Sequence, residues 1–73
     1  MMKDYQKRMV SEFNDLRDRS DKLEKIIRKQ RHGKLEFELA CPIRLLVRQH
    51  NAMLDYLECL KERAIEEDID LEY

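Results

Sequence analysis

This chain has one glycine, one proline, no tryptophan and two cysteines in 73 residues. So little glycine leaves no material for a phosphate-cradling loop. So few turn residues leave little for the corners of a sheet protein. Two cysteines, Cys41 and Cys59, cannot make the disulfide framework of a small secreted domain, and the N-terminus reads unlike a signal peptide. A reducing cytoplasm is the expected setting. No apolar run approaches the roughly 20 residues a membrane helix needs. A chain this short buries only a modest share of its surface, so without disulfide or metal it is expected to gain stability by self-association.

Charge and hydrophobicity are plentiful, at 42% each. High charge alone would suit disorder, but the apolar residues are periodic, which argues for folded helices. The net charge of −1 hides an asymmetry. Residues 1–34 hold eleven Lys/Arg and six Asp/Glu; residues 35–73 hold four and ten. Opposite halves favour antiparallel docking, within a chain or between chains. The sharpest basic stretch, KLEKIIRKQRHGK at 22–34, has six bases against one acid.

Met9, Phe13, Leu16, Ser20, Leu23 and Ile27 follow at steps of four and three, a heptad seam with one polar break at Ser20. They predict helix 1 over about 3–30. Arg28, Lys29 and Arg31 suit its C-terminal dipole, and Gly33 supplies the left-handed stop. A connector over 31–41 follows. Leu35, Phe37 and Leu39 alternate with Glu36 and Glu38 in it, and its apolar side is expected to lie on the helices. Pro42 fits the first turn of helix 2. Ile43, Leu46, His50, Met53, Leu57, Leu60 and Ala64 make a second heptad seam, predicting helix 2 over about 42–67. The tail over 68–73 is acidic; acid at a helix C-terminus opposes the dipole, so fraying near Asp68 is expected. Ile69, Leu71 and Tyr73 are expected to dock on a neighbour. The fold class is all-α: one domain over 1–73, an antiparallel two-helix hairpin. Both stripes are wider than a strict seam, so the hairpin is expected to assemble into a helical homo-oligomer.

Catalysis finds little support, and no enzyme is expected. His32, Cys41, His50 and Cys59 recur every nine residues, which matches no zinc spacing. On a helix each step is about 13 Å, too far to share an ion. No metal and no cofactor are expected. His50 in the seam is expected to be a hydrogen-bonded core histidine, Cys59 a small packing residue, and Cys41 a thiol near a helix N-terminus. Binding is better supported. Tyr5 offers a flat face for a base, with Arg8 one turn along on the same side. Arg19, Lys22, Lys25 and Arg28 extend the charge, although each taken alone is more readily a solvated or snorkelling side chain. Tyr5 and Lys22 are 17 residues apart, about 25 Å along one helix. They can converge only if helix 1 of a second chain runs antiparallel, giving a two-fold site shared by subunits. Cyclic dinucleotides are one ligand class of suitable symmetry.

YQKRMVSEFNDLRDRSDKLEKII in helix 1 and CPIRLLVRQHNAMLDYLECLKERA in helix 2 resemble the small helical-hairpin proteins of tailed and crAss-like bacteriophages. That group includes anti-CBASS and anti-Thoeris signal sponges. The resemblance spans roughly residues 3–65. It rests on Tyr5, Arg8, Met9, Glu12, Leu16, Lys22 and Leu23, and on Leu46, Gln49, Met53, Tyr56, Leu57 and Leu60. It implies a protein of the infected bacterial cytoplasm that sequesters cyclic oligonucleotide or cyclic ADP-ribose second messengers uncleaved. It also implies a dimer-based assembly, often a hexamer, with dinucleotide sites between subunits and, in some members, three-fold sites for cyclic trinucleotides. By position, Tyr5 would stack a base, Arg8 would hold phosphate, and Lys22 or Lys25 of a partner would close the site. Arg48, Gln49, Lys61 and Arg63 would be a second site. The connector HGKLEFELACPI varies among relatives, which leaves ligand range open. Two other readings stand beside this one. One is a helical protein-interaction module with no nucleotide ligand. The other is nucleic-acid binding through residues 22–34, which the acidic tail disfavours, so no DNA partner is expected.

Overall fold

Lys3 has extended backbone geometry and starts helix α1, Asp4–Arg31. Its own side chain has no acceptor, so only half of a capping box forms: the Lys3 backbone N–H donates to Gln6 Oε1 at 2.9 Å. Helix α2 spans Ile43–Glu66. The structure is a computed structural model and describes residues 2–71. Within them the chain is two helices packed on each other, with no strand. Pro42 sits at the N-cap of α2, one residue before the helical turn expected to contain it.

Both helices end in the same way. At the end of α1, Gly33 has φ +67°; its N–H donates to the Gln30 carbonyl at 3.1 Å, and the Lys34 N–H to that of Lys29 at 2.8 Å. At the end of α2, Asp68 takes the left-handed position with φ +56°. Its N–H donates to Ile65 at 3.2 Å, and the Ile69 N–H to Ala64 at 2.8 Å. These are paired Schellman closures. The expected fraying at Asp68 is therefore replaced by a formed cap, with a reason visible in the packing. Ile69, which follows the left-handed residue, lies with Leu71 against the hairpin's own core. Tyr73, expected to dock with them, lies outside the described residues.

That core is concentrated at the end where the two termini meet. Met9 and Phe13 of α1 pack with Leu57, Leu60 and Ala64 of α2; Phe13 and Leu60 are fully enclosed. Ser20, the polar break, is buried in the seam, and no buried side-chain nitrogen or oxygen is left unpartnered among the described residues. Arg17 holds its guanidinium 5.8 Å from the Phe13 ring centre, covering that side of the core. Toward the connector the seam loosens. Ile27 is buried, but Ile43, Leu46, His50 and Met53 are only half-buried. His50 is thus not an enclosed core histidine. Cys59 is exposed rather than packed, because it lies on the far side of α2 from Leu57 and Leu60. In the connector Leu35 and Leu39 are half-buried, while Phe37 stays exposed.

The result is a rod of 47 × 18 × 17 Å. Its radius of gyration is 15.2 Å, against roughly 11 Å for a compact domain of this length. Large apolar side chains remain outside, among them Leu45, Leu54 and Ile65.

A candidate ligand-binding groove

Tyr5, Arg8, Glu12, Asp15 and Arg19 follow at steps of three and four, so they form one ridge along α1. The ridge is tied to α2 twice. The Tyr5 hydroxyl donates to Glu67 Oε1 at 2.7 Å, and Gln6 Nε2 donates to the same oxygen at 3.4 Å. Seven residues further along α1, Glu12 accepts a hydrogen bond from the Tyr56 hydroxyl of α2. The two links fix the antiparallel register and hold both rings by their tips. Each ring is otherwise well exposed, 43% for Tyr5 and 41% for Tyr56.

The links also tune the groups that make them. Hydrogen bonding to Glu67 raises the Tyr5 phenol above its usual range, with desolvation and the carboxylate charge adding to the effect. The same bond lowers Glu67, opposed by desolvation and helped by Gln6. Hydrogen bonding to Glu12 likewise raises Tyr56. Both tyrosines are therefore neutral donors over the physiological range.

Between ridge and Tyr56 runs an open groove of about 340 Å³, lined by Arg8, Ser11, Glu12, Asp15, Leu16, Arg19 and Tyr56. That volume falls at the small end of ligand sites. Helical geometry spaces its charges: Arg8 and Arg19 at the ends, Glu12 and Asp15 between them. Arg8, Asp15 and Arg19 have no ion-pair or hydrogen-bond partner among the described residues. The groove thus offers a tethered aromatic face, two uncommitted guanidiniums and carboxylate acceptors.

The residues singled out from sequence are distributed unevenly around it. Arg8 lines the groove, and Tyr5 continues its ridge toward the N-terminus. Lys22 lies outside, ion-paired with Asp18 at 3.0 Å and about 21 Å along α1 from Arg8. Lys25 is exposed and turned about 120° round the helix from Arg19. The expected second site does not come together within one chain. Arg48 and Gln49 are exposed and about 20 Å along α2 from Lys61. Lys61 pairs with Glu58 at 3.2 Å, and Arg63 lines a different cleft beside Cys59, Ile65 and Glu67. His32 and His50 share a depression at the connector end that neither cysteine lines. Among the described residues no three His, Cys, Asp or Glu side chains group closely enough to hold a metal ion. No helix among them is long and apolar enough to cross a membrane.

Tyr56, with Glu12 and Asp15, was not singled out from sequence as part of a site. The signal was present, since Tyr56 falls outside the Leu57–Leu60–Ala64 seam, where an aromatic has no core to fill. Only the hairpin register reveals that it faces Arg8 and Glu12.

These features define a small all-helical hairpin protein with an open polar groove between its helices. Residues 3–66 match the family model described as Sequestin, and the chain belongs to the Sequestin family. The family name denotes sequestration, a function of holding a ligand. No curated protein and no solved structure matches the chain.

Proposed function

We propose that this chain is a phage-encoded sponge, which binds cyclic oligonucleotide or cyclic ADP-ribose immune second messengers without cleaving them, at sites between subunits of a homo-oligomer. The observation that carries this reading is the meeting of Arg8 and the tethered Tyr56 in one groove, in a chain of the Sequestin family. A base can stack on tyrosine while guanidinium holds phosphate. Tyr5, also held at its tip, offers a second ring on the same ridge. The groove is too open to exclude water, which suits retention of a ligand better than its chemical conversion.

Self-association is supported by surface area and charge. The chain exposes 6014 Å², roughly 1100 Å² more than a compact monomer of its size. That excess resembles one subunit's share of a stable interface, about 800 Å². Residues 20–52, the connector end, carry eight Lys/Arg and four Asp/Glu. Residues 2–19 with 53–71, the other end, carry seven and eleven. A second rod packed antiparallel sets each basic end against an acidic one, and carries its Lys22 toward the first chain's Tyr5. The same two-fold arrangement gives a two-fold ligand matched contacts.

Isothermal titration with cyclic di- and trinucleotides and cyclic ADP-ribose, on an oligomer sized by light scattering, tests this. Tyr5→Ala or Arg8→Ala should weaken binding at least tenfold and leave the oligomer intact. Absence of heat with every ligand would overturn the proposal. A second reading is favoured by the exposed Leu54 and Ile65 on one edge of α2: a helical module that docks on another protein and binds no nucleotide. A stoichiometric protein partner recovered with no nucleotide bound would favour it.

A further inference from the structure

We infer that the groove selects ribose-bearing ligands, with Asp15 and Glu12 as specificity-determining acceptors for free sugar hydroxyls and Arg8 and Arg19 as the phosphate contacts. The inference deepens the nucleotide reading above and rests on it.

The order of charges along the ridge is positive, negative, negative, positive, over eleven residues or about 16 Å of helix. A ligand that is only a string of phosphates fits this poorly, because its centre would face two carboxylates. Ionised carboxylates accept hydrogen bonds and cannot donate them, so whatever sits mid-groove must bring donors. Glu12 spends one acceptor position on the Tyr56 hydroxyl and keeps others free. Asp15 spends none within the described residues. In a cyclic dinucleotide each sugar lies between two phosphates, and in cyclic ADP-ribose each lies between the pyrophosphate and the base; in both, its donors are hydroxyls. The base is displaced to the side, where Tyr56 presents its ring. Groove and ligand therefore share one arrangement: phosphate on arginine, sugar on carboxylate, base on tyrosine.

The test compares cyclic di-AMP and cyclic ADP-ribose, each against an analogue lacking free 2′-hydroxyls, by titration calorimetry on the intact oligomer. A carboxylate–hydroxyl hydrogen bond is charge-assisted, so the deoxy analogue of whichever ligand binds should be weaker by about tenfold. Asp15→Ala, a helix-favouring change at an exposed position, should weaken the hydroxyl-bearing ligand by a similar factor and leave its deoxy analogue unchanged. Equal affinity for both analogues would overturn the inference and leave the sponge reading standing. Discrimination that follows replacement of adenine by hypoxanthine instead would also overturn it, by moving the acceptors' target to the base amine. No binding of any of the four would also overturn the inference, while the sponge reading falls only if the wider panel of cyclic di- and trinucleotides is silent too.

Discussion

Phe13→Ala is the sharpest probe of the hairpin. Phe13 is 0% exposed and sits among Met9, Leu57, Leu60 and Ala64. Removing a buried phenyl ring costs about 3–5 kcal/mol, and losing the Arg17 contact adds about 0.5 kcal/mol. A 73-residue chain has roughly 4–11 kcal/mol in total at typical per-residue stability. The variant should therefore lose at least a third of its stability, a melting point lower by more than about 12 °C at this size. Urea and thermal melts followed by helical circular dichroism measure it. Ile65→Ala is the necessary companion, because Ile65 is 77% exposed. In an isolated hairpin that change should stay within about 0.5 kcal/mol. If the outer edge of α2 lies in a subunit interface, the loss should instead exceed 1 kcal/mol and the melting point should depend on protein concentration. A loss below about 1 kcal/mol for Phe13→Ala would refute the placement of the core at the termini end of the rod.

Asp68→Gly should stabilise the protein by about 0.5–1 kcal/mol, since it relieves a left-handed L-residue and removes a carboxylate from a helix C-terminus; a lower urea midpoint would contradict the Schellman assignment. Tyr5→Phe should flatten the pH dependence of melting at both extremes. Glu67 is lowered below the ordinary 4.5, so its contribution is complete above that value and is lost as pH falls through the depressed one. Tyr5 is raised above the ordinary 10.0, so its share is complete below that value and is lost as pH rises through the elevated one. Identical acid limbs for wild type and variant would show that the Tyr5–Glu67 link does not form in solution.

The heptad spacing made both helices, their seams and the Gly33 stop readable, because helix period and burial are local properties of the chain. The helix ends fall within one residue of expectation. Asp68 was not readable as a cap. Its acidity argued for fraying, and what closes the turn is the packing of Ile69 and Leu71 on a core that both helices build. Cys59 and His50 show the same limit from the other side. His50 lies on the seam as expected, but its depth depends on how tightly the helices approach, which varies along the rod; Cys59 adjoins the seam in sequence and faces away from it. The candidate groove was half readable. Arg8 carries a local signal, charge beside an aromatic on one face. Tyr56 needs the register of two helices to be known before it meets Glu12.

That register also explains why the groove lies where it does. It sits over the half of the hairpin with the sealed core, with the Tyr56–Glu12 link in its wall and the Tyr5–Glu67 link beyond its Arg8 end. Rings held at their hydroxyls by the opposite helix have few rotamers left to lose when a base stacks on them, so less of the binding energy is spent on ordering. The looser connector half, with His50 and Met53 half-buried, lacks such links among the described residues and would order at greater cost. Lys22 lies toward that looser half of its own chain. In an antiparallel pair it would be delivered to the rigid half of the other. A two-chain site of this kind would place the tightly held recognition groups on one subunit and an exposed lysine on its partner. Loss of the lysine should then raise the rate of ligand release more than it slows capture, whereas loss of Tyr56 should weaken stacking itself.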